Sequence, residues 1–318
     1  MADRSPRGTD NQGLLLGDLA IGARVGGYQL RRRLPGRGAG HLFEASHVVL
    51  PRRALVAVLP AVDELTRDLV HHGLRVACMV DSLDHPGIPR VFECGMLEGR
   101  RPWVAAELVE GRSLASVIEA RAPTILEIVA ILRDTAAILE HAHSRGLVHR
   151  DLNPTTLLVV DPPRAFPVAI TDWSGARGLD ADRPLPRLPS AATAPFVAPE
   201  QRDGEVVDGR ADVYALGVIA RRLIERTAGA ATPPVLGALV TRMRARSAAG
   251  RPTAGEVRDH AAWLAGQIEI ESPVPEPVAD ERTVAAPPFT RPITSEIAPN
   301  ISGEIIASAT SARRDADR

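Results

Sequence analysis

The residues best suited to chemistry are two aspartates in two short stretches of the chain. Residues 148–160 read VHRDLNPTTLLVV and include Asp151, and residues 171–174 read TDWS and include Asp172. A carboxylate can accept a proton, bind a hard cation such as Mg²⁺, or organise a loop by accepting hydrogen bonds. The residue types alone leave these alternatives open, so the surrounding sequence has to decide among them.

The composition describes a chain that can bury a sizeable core. It has 318 residues, of which 45% are hydrophobic, and a formal net charge of -1, so nucleic acid and anionic membranes are not indicated as partners. All 38 Lys+Arg positions are arginine, and the chain therefore contains no lysine. No run approaches the ~20 apolar residues needed to span a bilayer. Cys78 and Cys94 lack metal-ligand spacing and are typical of small buried residues in a reducing compartment. We therefore expect a cytoplasmic protein with no membrane span.

Hydrophobic periodicity divides the chain into a β-rich part and a helical part. The β-like runs lie at residues 28–34, 41–46, 53–59, 90–95 and 103–109, with a helical stretch at 63–80. Amphipathic or buried helices are predicted at residues 125–145, 211–226 and 254–267. The ends of the chain are expected to be flexible: an extension of residues 1–26, and a disordered tail of residues 268–318 that is rich in proline, threonine and acidic residues.

These elements carry motifs in the order found in protein kinases. Residues 148–160 resemble the catalytic loop, residues 171–174 stand where the family has DFG, and FVAPEQ resembles the APE motif. WVAAELVEGRSL resembles the hinge, ADVYALG the helix that anchors the catalytic loop, and GRPTAGEV the closing segment. Together they resemble bacterial-type serine/threonine protein kinases. The resemblance implies a two-lobed α+β protein-kinase-like fold, with an N-lobe of residues 27–106 and a helical C-lobe of residues 107–267.

The resemblance also implies roles for individual residues. Asp151 would be the catalytic base and Asp172 a magnesium ligand, or both would serve as hydrogen-bond centres. Asn153 and Thr156 stand at the lysine and second metal-ligand positions of the loop. The nucleotide pocket would be lined by Leu34, Gly36, Gly40, Leu42, Leu55, Ala57, Glu107 and Leu158. The retained structural residues would be Asp212, which accepts backbone N–H groups of the catalytic loop, and the pair Glu200 and Arg251.

Several positions depart from the family's pattern. Ala57 stands at the third-strand lysine and Val76 at the helix glutamate, so both halves of the expected ion pair are absent. The glycine-rich loop within residues 34–45 is degraded in either register. Threonine at 156 is a weaker magnesium ligand than a carboxylate. Leu55 replaces a small alanine beside adenine, and we expect it to fill part of the pocket by packing against Leu42 and Leu158.

The sequence therefore favours a pseudokinase, a regulatory or scaffolding module that binds an active kinase or another signalling protein. Two alternatives stay open: an active serine/threonine kinase that uses Asp151, Asp172 and Arg37, and a nucleotide sensor that binds without turnover. ATP and Mg²⁺ are the cofactors that these alternatives require, and neither is firmly expected. Only TAGAATPP separates the helix of residues 211–226 from the next segment, so we expect the C-lobe to lack the usual docking helix.

Overall fold

The N-terminal part of the protein is a six-stranded antiparallel sheet with the order β1-β2-β3-β4-β6-β5. The computed structural model describes residues 19–35, 41–58, 67–97, 101–178, 193–227 and 232–271. The strands of this sheet are β1 (Arg24–Val25), β2 (Tyr28–Leu34), β3 (His41–His47), β4 (Arg53–Val58), β5 (Val91–Leu97) and β6 (Arg101–Glu107). Strands β2 to β6 confirm the five β-like runs of the sequence.

The two faces of the sheet differ in burial because side chains alternate along a strand. In β4, Ala54, Val56 and Val58 are fully buried, and they join a small core with Tyr28, Phe43 and other residues of the sheet. Leu55 and Ala57 point to the second face and are only partly buried. The second face is therefore the side on which a cleft can form.

Helix α1 (Arg67–Asp81) connects the sheet to the rest of the protein. It packs against β5, β6 and a 3₁₀ turn at Trp173–Gly175. Its buried residues Val76 and Val80 belong to the large core of the helical part. The described part of the helix confirms the stretch expected at residues 63–80, and residues 59–66 lie outside the described residues.

The C-terminal part of the described chain is mainly helical. Its helices are α2 (Leu114–Ala120), α3 (Ile125–Ser144), α4 (Pro199–Asp203), α5 (Arg210–Arg226), α6 (Pro234–Met243) and α7 (Ala254–Glu271). Short strands complete it: β7 (Gly111–Ser113), β8 (Leu147–Val148), β9 (Leu157–Val160), β10 (Val168–Ile170) and β11 (Arg177–Gly178). Helix α3 begins with a capping box between Thr124 and Glu127, which fixes its first turn.

A buried ion pair joins two distant segments of the helical part, as the sequence predicted. Arg251 donates from its two terminal nitrogens to the Glu200 carboxylate at 2.6 and 2.8 Å. The Arg251 side chain is 0% exposed and that of Glu200 is 6% exposed. Arg251 also donates to the carbonyls of Ala245 and Arg246, so its guanidinium is well supplied with partners. The pair ties α4 to the segment that precedes α7.

Three details differ from the sequence-based expectation. Val25 in β1 is fully buried and pairs with Tyr28, so the ordered domain begins before residue 27. Helix α7 continues to Glu271 because Ile268, one turn after Leu264, still packs against the core. Cys78 is exposed rather than buried. Residues 1–18 and 272–318, which hold most of the predicted flexible ends, lie outside the described residues.

Candidate functional site

The loop that follows β8 is held in place by one buried carboxylate. Asp212 on α5 is 1% exposed and accepts the backbone N–H groups of His149 and Arg150, each at 2.8 Å. His143 on α3 approaches the same carboxylate through Nε2 at 2.8 Å. The anchoring role predicted for Asp212 is thus confirmed, whereas His143 had no predicted role.

The environment of Asp212 favours the ionised form. Burial alone would raise its pKa, but the hydrogen bond and charge of His143 and the contacts with His149 outweigh burial and leave the pKa below its ordinary value. The carboxylate can therefore accept hydrogen bonds from several donors at once. Its role in the site is to fix the backbone of the loop.

His149 connects the loop to the segment that contains Asp172. The ring is fully buried, accepts the Asp151 backbone N–H through Nδ1 at 3.3 Å and donates through Nε2 to the Thr171 carbonyl at 3.2 Å. It also stands edge-on to Trp173, with the ring centroids 4.7 Å apart. Trp173 in turn donates its indole N–H to the Ile170 carbonyl at 2.9 Å. His149 and Trp173 thus form a buried aromatic pair, and His149 holds the backbone of Asp151 and that of Thr171, the residue before Asp172.

Asn153 uses its side chain to shape the loop. Its amide nitrogen donates to the Asp151 carbonyl at 2.8 Å, and its amide oxygen accepts the Thr155 N–H at 3.0 Å and also contacts the Thr155 hydroxyl. The residue is 3% exposed. Asn153 thus forms local hydrogen bonds at the position where the resemblance implies a lysine that contacts a phosphate.

Thr156 is closed onto the backbone of Asn153. Its hydroxyl accepts the Asn153 N–H at 3.1 Å and donates its only proton to the Asn153 carbonyl at 3.0 Å. Thr156 is also 3% exposed. The hydroxyl at the predicted metal-ligand position is therefore committed to the loop itself.

The two aspartates of the motifs lie in different environments. Asp151 is partly buried, and its backbone is held on both sides by His149 and Asn153. Asp172 is exposed and adopts a left-handed conformation with φ 56°. One of its oxygens accepts the Ser174 N–H at 3.4 Å and the Ser174 hydroxyl at 2.5 Å. Asp172 thus caps the 3₁₀ turn that follows it.

A row of apolar side chains crosses the second face of the sheet. Leu34 pairs with Leu42, Leu42 with Ala57, and Ala57 with Val104, so these four residues share one face; we call them the apolar row. Leu55 precedes Ala57 by two residues and shares that face. The predicted pocket residues Leu34, Leu42, Leu55 and Ala57 are thus brought together, whereas Gly36 and Gly40 lie outside the described residues.

The apolar row is directed towards the helical part. Val91 of β5 pairs with Ala106 next to this row, and Val91 packs against the large core of the helical part. Val76 is 3% exposed in that core. The resemblance implies an ion pair at positions 57 and 76, but neither Ala57 nor Val76 carries a charge, so no buried charge is left unmatched at these two positions.

The remaining two predicted pocket residues, Glu107 and Leu158, are not part of the apolar row. Glu107, at the end of β6, forms an ion pair with Arg164 from the loop between β9 and β10. Its second carboxylate oxygen accepts the Arg90 backbone N–H at 3.4 Å. Leu158 belongs to a different sheet, in which it pairs with Ala169 of β10 and Ser113 of β7. The Glu107–Arg164 pair had no sequence signal, because the partners are 57 residues apart.

A charged cluster on the N-terminal sheet was also missed by sequence reasoning. Glu44 accepts hydrogen bonds from Arg32 and Arg53, with closest distances of 2.8 Å to each. The hydrogen bonds from Arg32 and Arg53 lower the pKa of Glu44. Arg53 reaches on to Glu110 at 2.6 Å, which connects β4 with the segment after β6. The sequence signal that could have revealed this cluster is the spacing of the charged residues, which places them close together on neighbouring strands.

Two of the described positions depart from the ATP and Mg²⁺ site that the resemblance implies. Ala57 offers a methyl group where a cation is needed, and the Thr156 hydroxyl is committed to its own loop. Within the described ranges, no group of three or more histidine, cysteine or acidic residues could hold a metal ion. None of the helices in those ranges combines the length and apolar composition needed to cross a membrane.

Comparison with known proteins agrees with the motifs and the architecture. A family model for the protein kinase domain matches residues 64–232, more than half of the chain. The chain belongs to the protein kinase domain family. The match begins after β4, the strand that carries Leu55 and Ala57.

The similar proteins of known name are bacterial serine/threonine kinases. The chain is 34% identical over 232 residues to the serine/threonine-protein kinase PknJ of Mycobacterium tuberculosis, covering 70% of this chain and 39% of PknJ. It is 34% identical over 209 residues to the kinase Pkn1 of Myxococcus xanthus, covering 65% of this chain and 30% of Pkn1. The chain thus spans less than half the length of these relatives. The recognition of a bacterial-type family is confirmed.

The solved kinase domain of Mycobacterium tuberculosis PknI has a similar fold. It superimposes with a TM-score of 0.61 at 26% sequence identity, covering 77% of this chain and 99% of that domain. The two-lobed α+β protein-kinase-like fold expected from the sequence is thereby confirmed.

Proposed function

We propose that this kinase-family protein is a pseudokinase, a module that regulates or scaffolds a protein partner without transferring phosphate. The observation that carries the proposal is Ala57. This residue lies between Leu42 and Val104 in the apolar row, at the position of the phosphate-binding lysine, and no lysine exists elsewhere in the chain to replace it. Phosphoryl transfer depends on such positioned charge because the protein's main contribution is electrostatic.

The catalytic loop supports the same function. Asn153 and Thr156 hydrogen-bond within the loop, and Val76 removes the glutamate partner of the missing lysine. Each lost charge-assisted contact is worth roughly 1.5–3 kcal/mol. Several such losses together remove most of the rate enhancement that an enzyme of this class requires.

The framework of the fold is retained while the charges of the cleft are replaced. Asp212 still anchors the loop, and the buried pair of Glu200 and Arg251 still joins its two segments. A protein that keeps the shape of a kinase domain can present it to a partner. The partner would be an active kinase or another signalling protein, and the predicted cytoplasmic location belongs to the same proposal.

The short connection between helices α5 and α6 limits how such a partner would be bound. Helix α5 ends at Arg226 and α6 begins at Pro234. Residues 227–233 are too few for the additional docking helix that the resemblance implies, so protein recognition would use another surface.

An active serine/threonine kinase is the second candidate, and the retained Asp151 and Asp172 favour it. Purified full-length protein should be titrated with ATP and Mg²⁺ by calorimetry, and incubated with radiolabelled ATP and a general protein substrate. The pseudokinase predicts no micromolar nucleotide binding and no label transfer. Transfer that is abolished by Asp151→Asn would establish an active kinase instead, whereas binding without transfer would establish a nucleotide sensor.

A further inference from the structure

A cleft between helices α5 and α6 lies outside the sites described above. Its volume is about 200 Å³, and its lining includes Arg221 and Ile224 of α5, Gly237 and Val240 of α6, and Arg244, which directly follows α6. We call it the α5–α6 cleft. The lining thus combines apolar side chains with two arginines, one from each side of the cleft.

The two arginines begin close together because α5 and the end of α6 approach each other closely at Gly217. A Cβ atom added at Gly217 would lie 2.8 Å from the Cβ of Met243 and 2.9 Å from the Cγ of Arg244. Arg221 follows Gly217 by about one helical turn on the same face of α5. Both arginine side chains therefore start from the same region and line the same cleft.

Both guanidinium groups are available to an anion. Arg221 donates to Glu225 through Nε at 2.6 Å, and within the described ranges its terminal nitrogens make no hydrogen bond. The side chain of Arg244 has no hydrogen-bond or ion-pair partner among the residues that the structure describes. Both arginines are exposed. The terminal nitrogens of an arginine match the two oxygens of a carboxylate, so two such groups favour an acidic ligand.

The sequence around the cleft is strongly basic. Residues 221–246 contain six arginines and one acidic residue, Glu225, although the whole chain has a formal net charge of -1. Not every arginine faces the cleft, since Arg222 stacks over Phe196 with its guanidinium carbon 4.4 Å from the ring centroid. The local excess of positive charge attracts acidic partners to this region and repels basic ones.

We propose that the α5–α6 cleft binds an acidic peptide segment of a protein partner. Carboxylates of the segment pair with Arg221 and Arg244, and an apolar side chain packs against Ile224 beside Gly237. There is room for it, because a Cβ added at Gly237 would meet no side chain of the described residues within 4 Å. The inference rests on the proposed function only in that it names the surface and the chemistry of the partner.

The probe is a fluorescein-labelled peptide of sequence DEELEED, titrated with full-length protein by fluorescence anisotropy without nucleotide. We expect saturable binding that weakens as the salt concentration rises. The neutral peptide NQQLQQN should bind at least about tenfold more weakly, because it lacks the carboxylates. Absence of saturable binding to DEELEED, or equal binding of both peptides, would overturn the proposal. Label transfer in the ATP assay would overturn the pseudokinase and leave this binding result unchanged.

A double variant tests the two arginines. Arg221→Gln combined with Arg244→Gln should weaken binding of DEELEED about tenfold or more. The matched control is Arg24→Gln combined with Arg31→Gln, which removes the same charge from exposed positions on β1 and β2. Equal losses in the two double variants would show general charge attraction rather than binding in the cleft.

A second variant fills the cleft without changing its charge. Gly237→Leu should weaken binding about tenfold while it retains α6, since leucine favours a helix more than glycine does. Gly266→Leu on α7, where an added Cβ likewise meets no described side chain within 4 Å, is the matched control. Unchanged binding by Gly237→Leu would place the peptide elsewhere. A single-stranded oligonucleotide that displaced DEELEED at lower concentration than unlabelled peptide would assign the cleft to nucleic acid instead.

Discussion

The hydroxyl of Thr156 both accepts from and donates to the backbone of Asn153, at 3.1 and 3.0 Å. These are the two positions at which the resemblance implies a metal ligand and a phosphate-binding lysine. In this protein they form a closed, buried turn. The side chains at both positions thus hold the loop together.

We predict that Thr156→Val destabilises the protein by about 1–3 kcal/mol, because the substitution leaves buried Asn153 groups with fewer partners. The change is measured by urea unfolding. The matched control is Thr241→Val on α6, where the threonine is exposed and bonds only within its own helix. Equal stability losses in the two variants would contradict a structural role for the Thr156 hydroxyl.

Breaking the buried ion pair should have a larger effect. Glu200→Gln leaves the Arg251 guanidinium buried without its anionic partner, and we expect a loss of about 3–5 kcal/mol. Thermal and urea unfolding both report it. Glu225→Gln removes the exposed partner of Arg221 and should change stability little. If the Glu200 variant were as stable as that control, the pair would not hold α4 in place.

Asp212 should make stability depend on acid pH. Because the pKa of Asp212 is lower in the folded protein than its ordinary value of 3.8, its contribution is complete above pH 3.8. The contribution is lost as the pH falls through the lower folded-state pKa. Asp212→Asn should therefore be less stable at neutral pH and show a flatter pH dependence below pH 4, roughly the unfolded-state range. Asp203→Asn, an exposed site, serves as the control.

His85 predicts a second, milder pH dependence. Burial lowers the pKa of His85 below 6.5, and the charges of His141 and Arg145 lower it further. The ring also accepts the Gly87 N–H at 3.0 Å and packs against His141 and Phe166 at 4.9 Å. Its stabilising contribution is therefore present above pH 6.5 and is lost as the pH falls through the folded-state pKa.

Unfolding of the wild type and of His85→Gln should be compared between pH 7.5 and 5, roughly the range in which histidine titrates. We expect the stability difference between the two proteins to shrink towards the acid end. His260→Gln, at an exposed position, serves as the matched control. A His85 variant with an unchanged pH profile would show that this ring does not carry the effect.

Much of the architecture follows from local sequence patterns. Alternation in β4 and the three-to-four-residue repeat of α3 predict those elements because each pattern buries one face. The roles of Asp212 and of Glu200 with Arg251 were also predictable, since they belong to short motifs in a fixed order. The absence of lysine from the chain is likewise a fact of the sequence.

Only the tertiary structure decided which distant side chains meet. The Glu107–Arg164 and His143–Asp212 contacts join residues 57 and 69 positions apart, and no local period reports such distances. The closed bonding of Thr156 depends on a side-chain rotamer inside a folded loop. Periodicity fixes which face of an element is buried, but the packing of elements against one another selects the partners.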